Sequence, residues 1–428
     1  MADTNVKDLS TSPYGKTRLA NWGVADTQLS NARAWVVFAA LFIFATCCQY
    51  QNVMVAPVLT AVSSDLGMDI SGGGFIQSVY AIAGIILSFP AAWIMRNLGI
   101  KFSLLVTGII SIIGNVLALV ATVGSVFLVA RILQGCGYGL IAVIGPNLMP
   151  RLFPLKKQGL VMGVWSQWVC PGIALSALTT PLIFQSFGWR PLFYLSTFLQ
   201  VASTILVLAA VKMPAIPENM LVESDATRKR EYKHVYTASA FVVGFTFIAW
   251  CASYHCFNSF YPTYAQDIQQ MPLMLASLTT LVCTLVTIPF GIGFGILADR
   301  IRQRKVLLIA GYVIMAILYG TLLWSENYNP ALSWVSVVLL GGICAGLIPT
   351  TTRSIIPVLA QEPRKTDYAL TTMAFVTQVG NFLSVFFSII LTTHTFHFAA
   401  LAFPVPLCIA AIVVLLFVKN DHNVEVDG

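Results

Sequence analysis

Long apolar segments separated by short polar ones recur along the whole chain. Each is about 20 residues long, enough to cross a hydrocarbon core of about 30 Å at 1.5 Å per residue. We interpret them as α-helices, because a helix satisfies its own backbone hydrogen bonds in lipid and because the alternating segments of a membrane β-barrel are lacking. The pattern predicts twelve membrane-spanning helices, numbered spans 1 to 12: Ala34–Leu59, Phe75–Met95, Phe102–Val123, Val126–Leu148, Leu160–Phe184, Leu192–Val211, Ala238–Tyr261, Leu273–Leu297, Val306–Trp324, Leu332–Thr352, Tyr368–Thr392 and Phe398–Val418.

One polar connection is much longer than the others and separates the spans into two sets of six. It covers residues 212–237 and carries the charged cluster RKREYK, from Arg228 to Lys233. The sequence therefore predicts the following organisation: an N-terminal tail at 1–33, a first six-helix half at 34–211, the central loop at 212–237, a second half at 238–418 and a C-terminal tail at 419–428.

The two halves share a pattern near the outer end of their first span. Span 1 ends ATCCQYQNVMVAPVL (Ala45–Leu59) and span 7 ends CASYHCFNSFYPTY (Cys251–Tyr264), each with a tyrosine, then an asparagine, then a proline, at an offset of about 205 residues. A parallel repeat of six helices places a binding site at the interface between the halves. The predicted fold is an all-α polytopic membrane protein with twelve transmembrane helices in two pseudo-symmetric six-helix halves.

Composition and charge agree with this fold and set its orientation. Hydrophobic residues make up 57% of the chain and charged residues 10%, against about a quarter charged in soluble domains. With the N-terminus inside, the cytoplasmic segments hold 22 of the 24 Lys and Arg residues, as the positive-inside rule requires. We expect a multi-pass protein of the inner (plasma) membrane with both termini cytoplasmic. The net charge of +7 indicates contact with anionic lipid and gives no indication of nucleic-acid binding.

Three short stretches carry recognisable motifs. The loop after span 8 reads GILADRIRQRK (Gly295–Lys305), similar to G-x-L-A-D-R-x-G-R-[RK] except for an arginine and a glutamine in place of the second glycine and the residue after it. Span 4 contains RILQGCGYG (Arg131–Gly139), similar to R-x-x-Q-G-x-G, and GWRPLF (Gly188–Phe193) joins spans 5 and 6. Together these motifs resemble those of the major facilitator superfamily over residues 34–418, which implies a transporter of twelve helices.

The resemblance implies an inner gate at the loop after span 8. Asp299 stands at the acidic position of the motif, beside Arg300 and Arg304, and an acid near a helix N-terminus gains about 0.3–1 kcal/mol from the helix dipole. We expect these three residues to hold the cytoplasmic gate. The first-half loop AWIMRNLGIK (Ala92–Lys101) has Arg96 at the acidic position, so there we expect a basic turn that serves topology alone.

Arg131 lies inside span 4, where a charge costs at least about 2.5 kcal/mol and normally faces the bundle interior or a watery cavity. Arg131, Gln134 and Tyr138 stand at i, i+3 and i+7, so they share one helix face. We interpret this face as part of a solute-binding site. The alternative is that Arg131 hydrogen-bonds backbone carbonyls as a packing element. Gly135 and Gly139, spaced small-xxx-small, indicate close helix packing.

Other polar side chains at membrane depth are expected to line the same vestibule: Gln51 and Asn52 in span 1, Gln77 and Tyr80 in span 2, Tyr254 and Asn258 in span 7, and Gln378 and Asn381 in span 11. For each of them an interhelical hydrogen bond is the alternative role. His255 is turned about 100° from the Tyr254 face. It is the candidate proton carrier, because imidazole titrates near neutral pH, and a satisfied interior histidine is the alternative.

All 17 Asp and Glu residues lie outside the predicted spans. An intramembrane arginine without a buried acid suggests that the solute brings the negative charge, since a buried charge requires a partner. We therefore expect a secondary transporter of a small anion, such as an organic acid, that works by alternating access. Two alternatives stay open: a carrier of neutral or lipophilic compounds in which Arg131 is structural, and a non-transporting nutrient sensor that signals through the central loop.

Residues for enzymatic chemistry are lacking at membrane depth in the sequence, which places no nucleophile–base pair, paired carboxylates or metal-ligand cluster there. The nine cysteines fall in apolar runs and are expected to be core residues. The sequence thus predicts no enzyme, no metal and no cofactor. The expected partners are a small-molecule solute, the lipid bilayer and a coupling ion, with the chain acting as a monomer.

Overall fold

The computed structural model is almost entirely helical and describes residues 30–68, 70–87, 94, 98–153, 161, 164–165, 167–212, 238–301, 303–324, 329–360 and 363–418. For some helix residues within these ranges only the backbone is described. Residues 1–29 of the predicted N-terminal tail, the C-terminal tail, nearly all of the central loop and the first-half loop around Arg96 lie outside the described residues.

The helices follow the predicted spans closely. In the first half they are Asn31–Val53, Leu59–Asp65, Ile70–Leu87, Ile100–Val120, Gly124–Leu152, Val169–Phe187 and Pro191–Ala210. In the second half they are Ala238–Asp267, Leu273–Ile301, Arg304–Ile317, Pro330–Leu339, Gly346–Ala360, Pro363–Leu383, Val385–Leu391, Phe396–Ala402 and Pro404–Leu416. Each predicted span coincides with one helix or with two consecutive ones. Within the described residues, nine helices are long and apolar enough to cross a membrane, and the predicted twelve are consistent with this number.

Three spans are interrupted by local changes in helix type. In span 1 a 3-10 turn at Ala56–Val58 separates two helices, because Pro57 has no N–H to donate to the preceding turn. Short π-helical turns at Leu318–Leu322 and Leu340–Ala345 interrupt spans 9 and 10. Turns of this kind occur frequently at functional sites, since they widen the helix and redirect its side chains.

The end of span 10 differs from the sequence-based expectation. The apolar pattern ended this span at Thr352 and assigned Arg353 to the cytoplasmic loop, because a charge usually marks a membrane boundary. The helix instead continues from Gly346 to Ala360, so Arg353 lies inside it. Arg353 therefore belongs to a helix and not to a loop, since a helix in a bundle carries a charge wherever its side chain has a polar environment. Its placement at the cytoplasmic boundary stays a prediction.

The two halves contact each other mainly where span 2 packs on span 11, span 5 on span 8, and span 1 on span 7. On the opposite surfaces, large apolar side chains such as Phe187, Phe198, Ile205 and Phe417 are exposed. Lipid tails are as apolar as these side chains, so their exposure is expected for a helix bundle in a membrane. Polar contacts are accordingly concentrated between spans.

The outer corner of the first half is closed by an ion pair. Arg190 Nη1 lies 2.8 Å from Asp65 Oδ2, and Trp189 Nε1 donates to the same oxygen at 3.1 Å. The Arg190 guanidinium also lies 4.5 Å from the centre of the Trp189 ring. Both charged side chains are half exposed, so the pair contributes at most about 1 kcal/mol. It ties the end of span 1 to the loop between spans 5 and 6.

Spans 2 and 4 approach each other most closely at Gly135. A Cβ atom there would collide with the carbonyl oxygen of Tyr80 in span 2, and a Cβ at Gly139 would lie 2.8 Å from the Cα of Gly84. The expectation that Gly135 and Gly139 serve close helix packing is confirmed. Small residues allow the two backbones to touch without an intervening side chain.

Gly135→Ala should destabilise the protein. The added methyl group must push the backbone of span 2 aside, and overpacking of this kind costs about 1–3 kcal/mol. The measurement is thermal unfolding of the purified protein in detergent. Gly244→Ala is the matched control, because no heavy atom lies within 4 Å of a Cβ at that helical glycine of span 7. Equal melting temperatures for Gly135→Ala and the parent would contradict the close contact.

Candidate functional site

Arg131 is fully buried and holds spans 1, 2 and 4 together. Its Nε donates to the carbonyl of Ile76 at 3.1 Å, and its Nη2 donates to the carbonyl of Asn52 at 2.9 Å. Its Nη1 donates at 2.7 Å both to the carbonyl of Gln51 and to Oε1 of Gln134. Four neutral acceptors therefore share the positive charge, three of them backbone carbonyls of neighbouring spans.

The hydrogen bonds continue from Gln134 into two further spans. Gln134 Nε2 donates to Oδ1 of Asn115 in span 3 at 2.9 Å, and Ser196 Oγ in span 6 donates to the same oxygen at 3.3 Å. On its other side, the Arg131 guanidinium lies 4.6 Å from the centre of the Tyr80 ring. A buried network that spans five helices in this way is stabilising only if its members are satisfied, so it fixes the relative positions of the helices.

The burial of Arg131 distinguishes between its two expected roles, solute binding and helix packing. Arg131 and Gln134 are 0% exposed, so in this conformation their helix face is enclosed by protein and is not open to a cavity. The geometry corresponds to the packing alternative, in which Arg131 binds backbone carbonyls. Binding of an anionic solute by Arg131 stays a prediction, and it would require that some of these hydrogen bonds open.

The remaining predicted site residues are distributed over both halves. Gln51 Nε2 donates to Oε1 of Gln200 at 3.0 Å. The half-buried Tyr138 lies 5.3 Å from the ring of Trp168, and Tyr254 stacks on Trp250 at 5.0 Å. Several side-chain atoms are buried without a hydrogen-bond partner among the described residues: Oε1 of Gln51, Oδ1 of Asn52, Nε2 of Gln77 and Oδ1 of Asn258.

Gln378 and Asn381 lie at the contact between spans 11 and 2. Gln378 is 5% exposed and packs so closely on Gly84 that a Cβ there would lie 2.6 Å from it. The Asn381 carbonyl accepts from Ser384 Oγ at 2.8 Å, and Ser384 Oγ lies 3.0 Å from Ser78 Oγ in span 2. These residues therefore join the two halves in the structure.

A small cavity lies between the halves, next to the 3-10 turn of span 1. Its volume of about 10 Å³ leaves room for about one water molecule. Its polar lining comes from Asn258, Ser176 and Thr280, in spans 7, 5 and 8, and its apolar lining includes Pro57 and Pro262. The asparagine and the prolines that the repeat pattern singled out thus meet at one point of the interface.

Gln266, which the sequence analysis did not identify, is hydrogen-bonded to two prolines that line this cavity. Its Nε2 donates to the carbonyl of Pro57 at 3.1 Å and to the carbonyl of Pro262 at 3.0 Å. One amide group thereby connects the equivalent prolines of spans 1 and 7. No residue pattern pointed to Gln266, because a glutamine at the outer end of a span is unremarkable until the partner half is placed beside it.

His255 lies at the same interface, in contact with span 2. Its side chain is half buried and meets the backbone of Gln77, while Nε2 has no hydrogen-bond partner among the described residues. The imidazole therefore has one nitrogen engaged by the first half and one nitrogen available, a geometry compatible with the carriage of a proton. Its role as a proton carrier stays a prediction.

The predicted inner gate is only partly described. The helix that ends span 8 includes Asp299 and Arg300, but their side chains lie outside the described residues. Arg304 begins the next helix and is half buried. The gating role of all three residues stays a prediction.

The fold and this interface define a membrane protein of two helical halves that meet through polar groups. The family model of the Major Facilitator Superfamily matches residues 41–385, most of the chain. The chain belongs to the Major Facilitator Superfamily.

Two curated relatives illustrate its similarity to other members. The putative proline/betaine transporter of Staphylococcus aureus (strain COL) is 24% identical over 242 residues, which cover 54% of this chain and 50% of the relative. The MFS-type transporter ucsD of Acremonium sp is 22% identical over 390 residues, which cover 74% of this chain and 64% of the relative. The chain thus spans between half and two thirds of the length of these relatives.

Solved structures show the same fold. The xylose transporter XylE from E. coli, in a partially occluded inward-open conformation, matches with a TM-score of 0.72 and 15% identity, over 91% of this chain and 98% of that one. A bacterial homologue of the human lysosomal transporter Spinster, inward-facing and unoccupied, matches with a TM-score of 0.68 and 13% identity, over 91% and 96% of the two chains. At these identities the likeness establishes the fold alone.

Arg131→Gln should destabilise the first half strongly. Hydrogen bonds to charged groups contribute about 1.5–3 kcal/mol each, and a glutamine replaces few of the four, so we expect a loss of at least about 3 kcal/mol. The measurement is thermal unfolding in detergent. Arg33→Gln is the matched control, because the half-buried Arg33 has a described hydrogen bond to the carbonyl of Ala210 at 3.2 Å and lies at a membrane boundary. An Arg131→Gln protein as stable as the parent would contradict the packing role.

Proposed function

We propose that this chain is a secondary active transporter that moves a small solute across the cytoplasmic membrane by alternating access. The observation that carries the proposal is the polar contact between the halves at their outer ends, where Gln266 connects Pro57 with Pro262. Halves that meet through a few hydrogen bonds on one side of the membrane can separate there and close on the other side. In this proposal both termini are cytoplasmic and the chain acts as a monomer.

The solute we propose is a small molecule that carries a carboxylate, either an organic anion or a zwitterion. Among side chains that the structure describes, the acids Asp65 and Asp267 lie at the outer ends of their helices, whereas Arg131 lies at membrane depth. A carboxylate on the solute would supply the negative charge that these spans lack. The relative from Staphylococcus aureus is named for proline and betaine, and both of these molecules contain a carboxylate.

A carrier of neutral compounds is the second candidate. Two observations favour it: Arg131 already has four hydrogen-bond acceptors, and Tyr254 and Trp250 present half-buried aromatic rings near the interface. Neutral hydroxyl-bearing or apolar solutes bind to aromatic and amide groups without any charge partner. The two candidates differ in which molecules compete for transport.

Transport by the purified protein in liposomes tests the proposal. The probe is radiolabelled glycine betaine, and the competitors are proline, malonate, acetate and xylose. We expect saturable uptake that the carboxylate-bearing competitors reduce and that xylose does not. Competition by xylose alone would replace the proposal with the neutral-solute candidate, and a panel in which neither the probe nor any competitor crosses faster than into empty liposomes would contradict transport of this class.

Gln266→Ala should open the outer side of the interface more often. Pro262 lies in the same helix as Gln266, so only the hydrogen bond to Pro57 joins the halves. Its loss removes about 0.5–1.5 kcal/mol from the closed state and shifts the population towards outward-open. The measurement is the reaction rate of a cysteine at Asn258 with a membrane-impermeant thiol reagent added outside. Gln270→Ala is the matched control, because Gln270 is exposed and its described hydrogen bond goes to the nearby carbonyl of Asp267. An unchanged rate in Gln266→Ala would show that the contact does not hold the outer side closed.

His255→Gln should flatten the pH dependence of uptake if a proton accompanies the solute. A glutamine cannot take up or release a proton, so uptake by the parent should vary with pH while uptake by the variant stays level. The measurement is initial uptake in liposomes with a fixed gradient across the membrane. An identical pH profile in parent and variant would assign His255 to interhelical packing.

A further inference from the structure

Arg353, like Arg131, lies well away from both ends of its helix, but its position in the bundle differs from that of Arg131. It lies in the helix Gly346–Ala360 of span 10, seven residues before the cytoplasmic end of that helix, or about 10 Å at 1.5 Å per residue. Side chains on a helix tilt towards its N-terminus. Since span 10 runs from the outside inwards in the predicted orientation, the Arg353 side chain tilts towards the middle of the membrane and away from the cytoplasm.

The neighbours of Arg353 belong to the inner side of the interface between the halves. Its charge interacts with the thiol of Cys251 in span 7. Cys251 packs against Gly380 in span 11 and meets the hydroxyl of Thr377 in the same span. Tyr138, from span 4 of the first half, also lies within electrostatic range of Cys251. Spans 4, 7, 10 and 11 therefore surround the region that Arg353 enters.

The Arg353 side chain is exposed, whereas its neighbours Thr351 and Thr352 are 0% exposed. Spans 7 and 11 both pack on this helix. An exposed side chain whose charge reaches the buried Cys251 of span 7 points to an opening between these spans, on the cytoplasmic side in the predicted orientation. We name the region bounded by Arg353, Cys251, Thr377 and Tyr138 the inner vestibule.

Arg353 has no hydrogen bond and no ion pair with any residue that the structure describes. Its five N–H donors have no acceptor among these described residues, whereas Arg131 donates to four acceptors within the protein. A planar guanidinium with free donors matches a carboxylate through two parallel hydrogen bonds. An arginine at membrane depth without a partner acid is expected to have such a function.

We propose that Arg353 binds the carboxylate of the solute in the inner vestibule. The proposal rests on the transport function proposed above and makes it more specific, because it assigns anion recognition to span 10 and leaves Arg131 as the residue that holds the first half together. A guanidinium in this place favours the carboxylate-bearing solute over the neutral solute.

The test uses a cysteine reporter in the full-length purified protein. Thr377 is half buried beside Cys251, so Thr377→Cys places a thiol in the inner vestibule. Its modification by two methanethiosulfonate reagents, one bearing a sulfonate and one bearing a trimethylammonium group, is followed by mass spectrometry of the peptide that contains residue 377. The ratio of the two rates reports the local electrostatic potential.

We expect the sulfonate reagent to react faster in the parent, and Arg353→Gln to lower the rate ratio about tenfold. Lys212→Gln is the matched control, because Lys212 is an exposed cation at the cytoplasmic end of span 6, and its loss should leave the ratio within about twofold. Acetate in place of chloride, at equal ionic strength, should slow the sulfonate reagent in the parent and not in Arg353→Gln. Arg353→Lys should keep the ratio and weaken the acetate effect.

Three results would overturn the proposal: a cysteine at 377 that neither reagent reaches, an unchanged ratio in Arg353→Gln, or acetate protection that persists without the guanidinium. If Arg353→Gln does not fold, the parent alone still decides the matter, because acetate must protect and the isosteric neutral acetamide must not. These measurements need no transport. A ratio of the two modification rates that does not depend on Arg353 therefore refutes the site. Failure of liposome uptake with the site intact refutes the transport proposal.

Discussion

The first half depends on the desolvated guanidinium of Arg131. A charge at membrane depth is tolerated only with dense hydrogen bonding, and Arg131 obtains it from the carbonyls of Gln51, Asn52 and Ile76. These carbonyls belong to spans 1 and 2, so the same bonds that solvate the charge fix the two spans against span 4. The glycine contact between Gly135 and span 2 then follows, since the backbones must approach for the bonds to form.

A first half held together in this way can meet the second half as a single unit. The contacts between the halves are different in kind: the amide of Gln266 on the carbonyl of Pro57, the hydroxyl pair Ser78 and Ser384, and the walls of a cavity with room for about one water. Each such bond is neutral and contributes about 1 kcal/mol. Strong, charge-assisted bonds within one half and weak, neutral bonds between halves form the energetic basis for motion of one half against the other.

The fold follows from the sequence because membrane insertion imposes few rules. Apolar length predicts the spans and the small-xxx-small spacing predicts the contact at Gly135, while the orientation that cation placement indicates stays a prediction. The roles of the arginines could not be derived in the same way. Arg131 sits on a helix face shared with Gln134 and Tyr138, but whether that face meets a carbonyl or a solute depends on how spans 1 and 2 cross it. Arg353 was assigned to a loop because a charge was taken to mark the end of a span, and only the helix continuing to Ala360 places it in the bundle.

The central claim is that the two halves move as rigid bodies, and distance measurements between spin labels in lipid nanodiscs test it most directly. Thr60 and Ile268 are exposed at the outer ends of spans 1 and 7, and Phe187 is exposed at the outer end of span 5 in the first half. The account predicts two populations of distances for the pair Thr60 and Ile268, which joins the halves, and one narrow population for the pair Thr60 and Phe187, which lies within the first half. A single population for the pair across the halves, or two for the pair within the first half, would contradict it.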